Sequence, residues 1–156
     1  MDLIIKEIID KKEKEIISKE ILYDLPEWFG LPESTEEYIK DSQDKPFLAC
    51  YADNDIAGYI VLNATSKDTA DIFVMGIKKK FHRMGIGTKL NTEFENMAKN
   101  LGYSYSQVKT VKMGHYKEYD ITNEFYIAMG YKELECFPTL WDEWNPCQIY
   151  IKYLGE

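Results

Sequence analysis

The 156-residue chain is poor in cysteine, histidine, proline and net positive charge. Its three cysteines, Cys50, Cys136 and Cys147, are an odd number with no CxxC spacing, and only two histidines exist to join them. That pattern argues against a disulfide framework and against a zinc site, so no metal is expected; three reduced thiols in a cytoplasmic protein fit it better. No run of about twenty apolar residues is present, so no segment is built to span a membrane. The opening MDLIIKEIIDKKEKE breaks its apolar run with charge and lacks a signal-peptide layout. A formal charge of -8 and a pI near 4.9 leave no basic footprint for nucleic acid. There is no internal repeat, linker or low-complexity stretch, and the length suits one domain over residues 1–156.

What the chain does have is aromatic residues, 14% of the total with twelve tyrosines, and a clear alternation of periods. Leu3 to Ile9 predicts a strand and Lys11 to Tyr23 a helix with Ile16, Ile17 and Ile21 on one side. LPEWFGLPE (25–33) is a turn, and Ser34-Thr35 offers caps for a helix over 36–42. Two strands, Phe47 to Ala52 and Ile56 to Ala64, flank the hairpin signal Asp53-Asn54-Asp55, and a third runs from Ala70 to Ile77. Ile86, Leu90, Phe94, Met97 and Leu101 repeat at helical spacing before Gly102. A tyrosine-rich strand (103–111), a short helix capped by Asp120 and ending at Gly130, and two closing strands (131–137 and 148–153) around the loop PTLWDEWNP complete the chain. The order β-α-α-β-β-β-α-β-α-β-β means a mixed α/β sheet with helices packed on it.

One stretch stands out. From Ile72 to Thr92 there is no acidic residue, yet Lys78, Lys79, Lys80, Arg83 and Lys89 fall there, with Gly85 and Gly87 at the start of the helix. A helix start offers unpaired N–H groups and positive partial charge, and glycine lets a ligand approach the backbone. Strand, basic glycine turn, helix is therefore an anion-binding layout, and lysine placed at this end is unfavourable unless an anion arrives. The turn contains no GxxxxGK[ST] P-loop.

These residues resemble the GNAT superfamily of N-acetyltransferases. His82-Arg83-Met84-Gly85-Ile86-Gly87 fills its (R/Q)-x-x-G-x-(G/A) signature with histidine in the first place. Ala70-Asp71-Ile72 to Ile77 resembles its fourth strand, and Phe125-Tyr126 to Met129-Gly130-Tyr131 resembles its FYxxxGF element. Lys79 stands where proline is common, and Tyr119 where an asparagine is usual. The resemblance implies a central, mostly antiparallel sheet of about seven strands with helices on both faces. It implies transfer of acetyl from acetyl-CoA directly to a primary amine, a small cationic or peptide amine.

On that resemblance, the amides and side chains of His82, Arg83, Met84, Gly85, Ile86, Gly87 and Thr88 hold pyrophosphate, with Lys78 to Lys80 placed to screen a further phosphate. Met75, Gly76 and Ile77 pair with pantetheine, Asn123 is an open candidate for the missing asparagine's role, and Tyr126 binds the cofactor and acts as acid toward the leaving thiolate. Asp71, the one acid in its apolar strand, is the candidate base, against a solvated strand-edge role; Glu27, Glu133 and Glu135 are alternatives. Trp28, Phe29 and Trp141 are expected to wall an acceptor site suited to a cation. A non-catalytic acyl-CoA sensor on the same fold is the competing reading. A homodimer through a C-terminal edge strand is compatible with the sequence without being demanded by it.

Overall fold

In a computed structural model, which describes residues 1–155, the chain forms seven strands and four α-helices in the predicted order. They are β1 (Leu3–Glu7), α1 (Lys11–Leu22), α2 (Pro32–Asp41), β2 (Phe47–Ala52), β3 (Asp55–Ala64), β4 (Thr69–Ile77), α3 (Ile86–Asn100), β5 (Tyr105–Val111), α4 (Lys117–Ala128), β6 (Lys132–Asp142) and β7 (Asn145–Tyr153). The strands hydrogen-bond in the order β1-β2-β3-β4-β5-β7-β6. β4 and β5 run parallel, whereas β1–β2, β2–β3, β5–β7 and β6–β7 are antiparallel. A parallel pair cannot be joined by a hairpin, and here the connection is α3. The chain divides into two compact units, Met1–Asn63 with Phe73–Met97, and Ala64–Ile72 with Ala98 onward; it passes between them at the end of β3, inside β4 and inside α3.

The first unit buries both faces of β2 and of the middle of β3. On one, Phe47 and Ala49 of β2 and Tyr59 and Val61 of β3 pack with Ile17, Ile21 and Leu22 of α1 and Ile39 of α2. Gly58 points the other way, where an added Cβ would meet Leu90 of α3 at 3.2 Å. Period-two alternation of the strands and the 86-90-94 stripe of α3 are what produce this sandwich. Asp53 and Asn54 form the β2–β3 turn with φ of 48° and 74°, the left-handed pair a tight hairpin requires.

In the second unit, β5 is flanked by the first half of β4 and by β7, with Asp71 opposite Gln107 and Val111 opposite Cys147. β7 buries Cys147, Gln148, Ile149 and Tyr150 in succession. β6 is the sheet edge and is exposed almost throughout, which is why Pro138 is tolerated inside it.

Several sequence expectations give way. Ile16 is 56% exposed, so the buried stripe of α1 is Lys14, Ile17, Ser18, Ile21 and Leu22. α2 begins four residues early, with Pro32 in its first turn, and Thr35 is no cap; its buried hydroxyl donates to the Phe29 and Leu31 carbonyls. α4 starts at Lys117, and Asp120 caps nothing there; its Oδ1 accepts from the Gly114 N–H at 2.7 Å. Most of PTLWDEWNP is strand, closed by a turn in which Asp142 accepts from the Trp144 N–H and from the Asn145 side chain.

Tight backbone approach at Gly58 gives a stability test. A Cβ there would lie 2.9 Å from the Gly76 carbonyl oxygen and 3.0 Å from Ile77 Cγ1. Gly58→Ala is expected to cost about 1–3 kcal/mol, read as a lower midpoint in chemical denaturation.

Candidate functional site

In the first unit, the turn predicted to bind an anion is built by backbone geometry. β4 ends at Ile77, and a 3-10 turn over Lys79–Phe81 buries Phe81. Arg83 and Gly85 then take positive φ, 65° and 79°, before α3 starts. Gly85 suits this conformation; Arg83 holds it against its Cβ. The first backbone bond of α3 runs from Lys89 N–H to the Gly85 carbonyl, so the N–H groups of Ile86, Gly87 and Thr88 precede the helical ladder. No acid occupies the first turn of this 15-residue helix.

His82 ties the turn to the strand that feeds it. Its Nε2 lies 2.7 Å from the Ile77 carbonyl oxygen, which can only accept, so Nε2 carries the proton. Its ring meets Trp28 edge-on at 5.9 Å between centroids. Lys79 fastens the α1–α2 turn from the same side, through its N–H to Asp24 at 2.7 Å and its Nζ to Glu27 at 2.5 Å.

The lysine triplet is committed within the protein. Lys78 pairs with Glu20, Lys79 with Glu27 and Lys80 with Asp55, so the expected phosphate screen is corrected. Among the described residues, Arg83 and Lys89 are the basic groups of this stretch, His82 aside, that carry no ion pair. Glu27, an alternative base, is hydrogen-bonded to Lys79, which holds its carboxyl below its ordinary range. Gly76 permits close packing: a Cβ would meet Ile21 Cγ2 at 2.9 Å. It is a packing site, with Met75 and Ile77 half-buried on either side.

Trp28 and Phe29 are half-buried and packed on the core of the first unit, Phe29 edge-on to Tyr38. They are anchors more than open walls. The same unit contains a cavity the sequence reading missed, about 220 Å³ and lined by Ser34, Glu37, Tyr38, Asp41 and Phe73. Over the Phe73 ring sits the Lys45 ammonium, 4.6 Å from the centroid. Glu37 and Asp41 one helical turn apart were the available signal, hidden because an acidic helix face is ordinarily solvated.

In the second unit, Asp71 is 5% exposed, which overturns the solvated-edge alternative. Its Oδ1 accepts from Gln107 Nε2 at 3.1 Å and lies 3.9 Å from Lys109 Nζ. Burial raises its pKa; Lys109 and then the Gln107 hydrogen bond pull it partly back. Tyr126 is buried too, its ring edge-on to Phe125 and Tyr131. Burial, then Tyr131 and Asp71, push its hydroxyl far above the ordinary phenol range, so it stays protonated. Tyr131 shares a hydrogen bond with Ser106 at 2.7 Å, and Cys147 is pushed up to about 11 by burial.

Asn123 is fully buried, its Nδ2 donating to the Val111 and Tyr119 carbonyls while its Oδ1 accepts from Tyr150 at 2.6 Å. Those bonds lock α4 to β5 and β7. Trp141 is 45% exposed on edge strand β6, and Glu133 and Glu135 are exposed on the same strand. No cluster of metal-ligating residues exists among the described residues, and no described helix is long and apolar enough to cross a membrane.

A mixed seven-stranded sheet, one parallel pair joined by a helix, and a basic turn at that helix start define an acetyltransferase class of fold. The sequence model of the acetyltransferase (GNAT) family matches residues 18–131, and the chain belongs to that family. Its fold is similar to that of a GNAT-family acetyltransferase from Desulfovibrio desulfuricans, with a TM-score of 0.84, 14% identity and coverage of 99% of this chain and 100% of the other. It is similar also to the aminoglycoside 6'-N-acetyltransferase of Enterococcus faecium (TM-score 0.75, 16% identity, 98% of each chain). A third likeness is to an Elizabethkingia anophelis GNAT acetyltransferase with acetyl-CoA bound (TM-score 0.71, 16% identity, 97% of each chain). No curated protein matches the sequence.

The buried Asp71 gives a prediction with a definite sign. Its folded pKa is raised above the unfolded value, near 3.9, so the native state holds the proton to higher pH. Between those two values the unfolded state binds fewer protons, and stability falls as pH rises through the folded pKa. Asp71→Asn removes the charge at nearly constant volume. Its melting temperature at pH 7 is expected to equal or exceed that of the parent, with a flatter dependence from pH 4 to 8, measured by circular dichroism.

Proposed function

We propose that the protein transfers the acetyl group of acetyl-CoA directly to a cationic primary amine, as one acetyltransferase domain into which the family match at 18–131 extends from both units. The observation that carries this reading is Asp71: a buried carboxylate of raised pKa on the strand where the family resemblance places a base. A charged amine is unreactive until it loses a proton, and a carboxylate shifted toward neutrality accepts one more readily. Acetyl-CoA supplies the acyl group as a thioester. The residues present fit its phosphates: positive φ at Arg83 and Gly85, an acid-free first turn in α3, and unpaired Arg83 and Lys89. That the Elizabethkingia neighbour holds acetyl-CoA supports the same cosubstrate here.

Asp71 takes a proton from the acceptor ammonium, directly or through one water, freeing the nitrogen lone pair for the thioester carbonyl. Tyr126 keeps its proton and donates a hydrogen bond to the departing sulfur. Full transfer would run uphill, because a thiol titrates near 8.5, well below an ordinary phenol at about 10, and Tyr126 is raised further. Burial pushes the Cys147 thiol up to about 11 and so holds it neutral, which disfavours a thiol relay. For the acceptor, the cavity carrying Glu37 and Asp41 suits an ammonium by charge. The aminoglycoside acetyltransferase of similar fold acts on an amine-rich substrate class compatible with this chemistry.

A thiol-release assay with acetyl-CoA and a panel of polyamines, aminoglycosides and peptide amines tests the activity. CoA binding without release for any amine would instead favour a sensor. Tyr126→Phe is expected to lower kcat by about 10²-fold with CoA affinity within about twofold. In the double variant Glu37→Gln/Asp41→Asn, KM for the amine should rise about tenfold with kcat nearly unchanged; an unchanged KM would remove this cavity from acceptor binding.

A further inference from the structure

We infer that Gln107 and Lys109 of β5 are positioning residues for Asp71, directing its proton to the second carboxylate oxygen and setting the pH at which it is accepted. The inference rests on Asp71 being the base. Parallel pairing puts Gln107 directly opposite Asp71, and Lys109, two residues on, points to the same face of β5. Both side chains address one oxygen: Gln107 Nε2 at 3.1 Å and Lys109 Nζ at 3.9 Å from Oδ1. Oδ2 has no partner among the described residues, although the side chain is 5% exposed.

An oxygen that accepts a hydrogen bond and faces a cation is the poorer proton acceptor of the two. The arrangement therefore fixes the carboxylate rotamer through Oδ1 and leaves Oδ2 as the basic position. The step is a simple transfer: the acceptor N–H bond breaks, an O–H bond forms at Oδ2, and the electron pair stays on nitrogen. The other titratable groups close to Asp71 are Tyr126 from α4 and Cys147 from β7, both held in their neutral forms by burial. That leaves Lys109 as the cation that tunes Asp71.

The test is the pH dependence of kcat/KM for the full-length protein, with two amines of different basicity, in the parent and in Lys109→Met, Lys109→Arg, Gln107→Leu and Asp71→Asn. Lys109 is a third exposed, so its effect is screened. Lys109→Met is expected to move the acid limb upward by about half to one pH unit with both amines, and Lys109→Arg to restore it. Gln107→Leu should lower kcat about tenfold while KM for acetyl-CoA stays unchanged. A carboxyl carbon NMR titration of Asp71 in the parent and in Lys109→Met reads the same shift without turnover. If Asp71→Asn abolishes activity but Lys109→Met moves neither the limb nor the titration, the positioning role is overturned and the base stands. Full activity in Asp71→Asn would overturn the base itself.

Discussion

The parallel pairing of β4 with β5 is the constraint on which the rest depends. Two parallel neighbours need a crossover, and the crossover helix α3 must start just beyond the end of β4. Its unpaired N–H groups then fall after a turn bent by positive φ at Arg83 and Gly85. The same pairing sets Gln107 opposite Asp71 and so decides what a buried carboxylate on β4 can bond to. One ladder thus determines both the turn that opens α3 and the surroundings of Asp71.

Electrostatics refine the picture drawn from charge alone. A run of three lysines in a chain of charge -8 suggests a free basic patch. Each of the three meets an acid from elsewhere in the chain: Glu20 and Glu27, from α1 and the turn after it, and Asp55 at the start of β3. These pairs are partly exposed and contribute little stability each. Their larger effect is geometric, because Lys79 and His82 together hold the α1–α2 turn to the phosphate turn. What remains for an anion is the backbone with Arg83 and Lys89, an arrangement that depends on oriented N–H groups more than on net charge.

Element order and the turn were legible because they are local. Period-two strands, the 86-90-94 stripe and glycines at helix ends each depend on neighbours a few residues away. What failed depended on distant partners. The surroundings of Asn123 were hidden because nothing in the sequence reveals that Val111, Tyr119 and Tyr150 bond to it. Asp120 looked like a cap because the Gly114 N–H that it accepts lies in a loop without periodicity. The β6–β7 hairpin looked like a loop because two prolines frame it, yet an edge strand tolerates proline, and Asp142 supplies the turn. Asp71 as the candidate base and Glu27 as an alternative are both acids in the sequence; burial of the one and the Lys79 pair of the other give them different surroundings.

In the role proposed for it, Asp71 also gives a reason why such a base would not be replaced by something more stable. A carboxylate buried to this degree costs free energy unless fully paired, and its one cation, at 3.9 Å, is only partly buried itself. Full pairing by a close arginine would recover that cost, yet it would also depress the carboxylate's affinity for a proton and end its use as a base. A fully apolar setting would hold the proton permanently and fail in the other direction. The intermediate arrangement, one neutral donor and one distant cation on a single oxygen, keeps the group titratable. Its instability and its reactivity have the same origin.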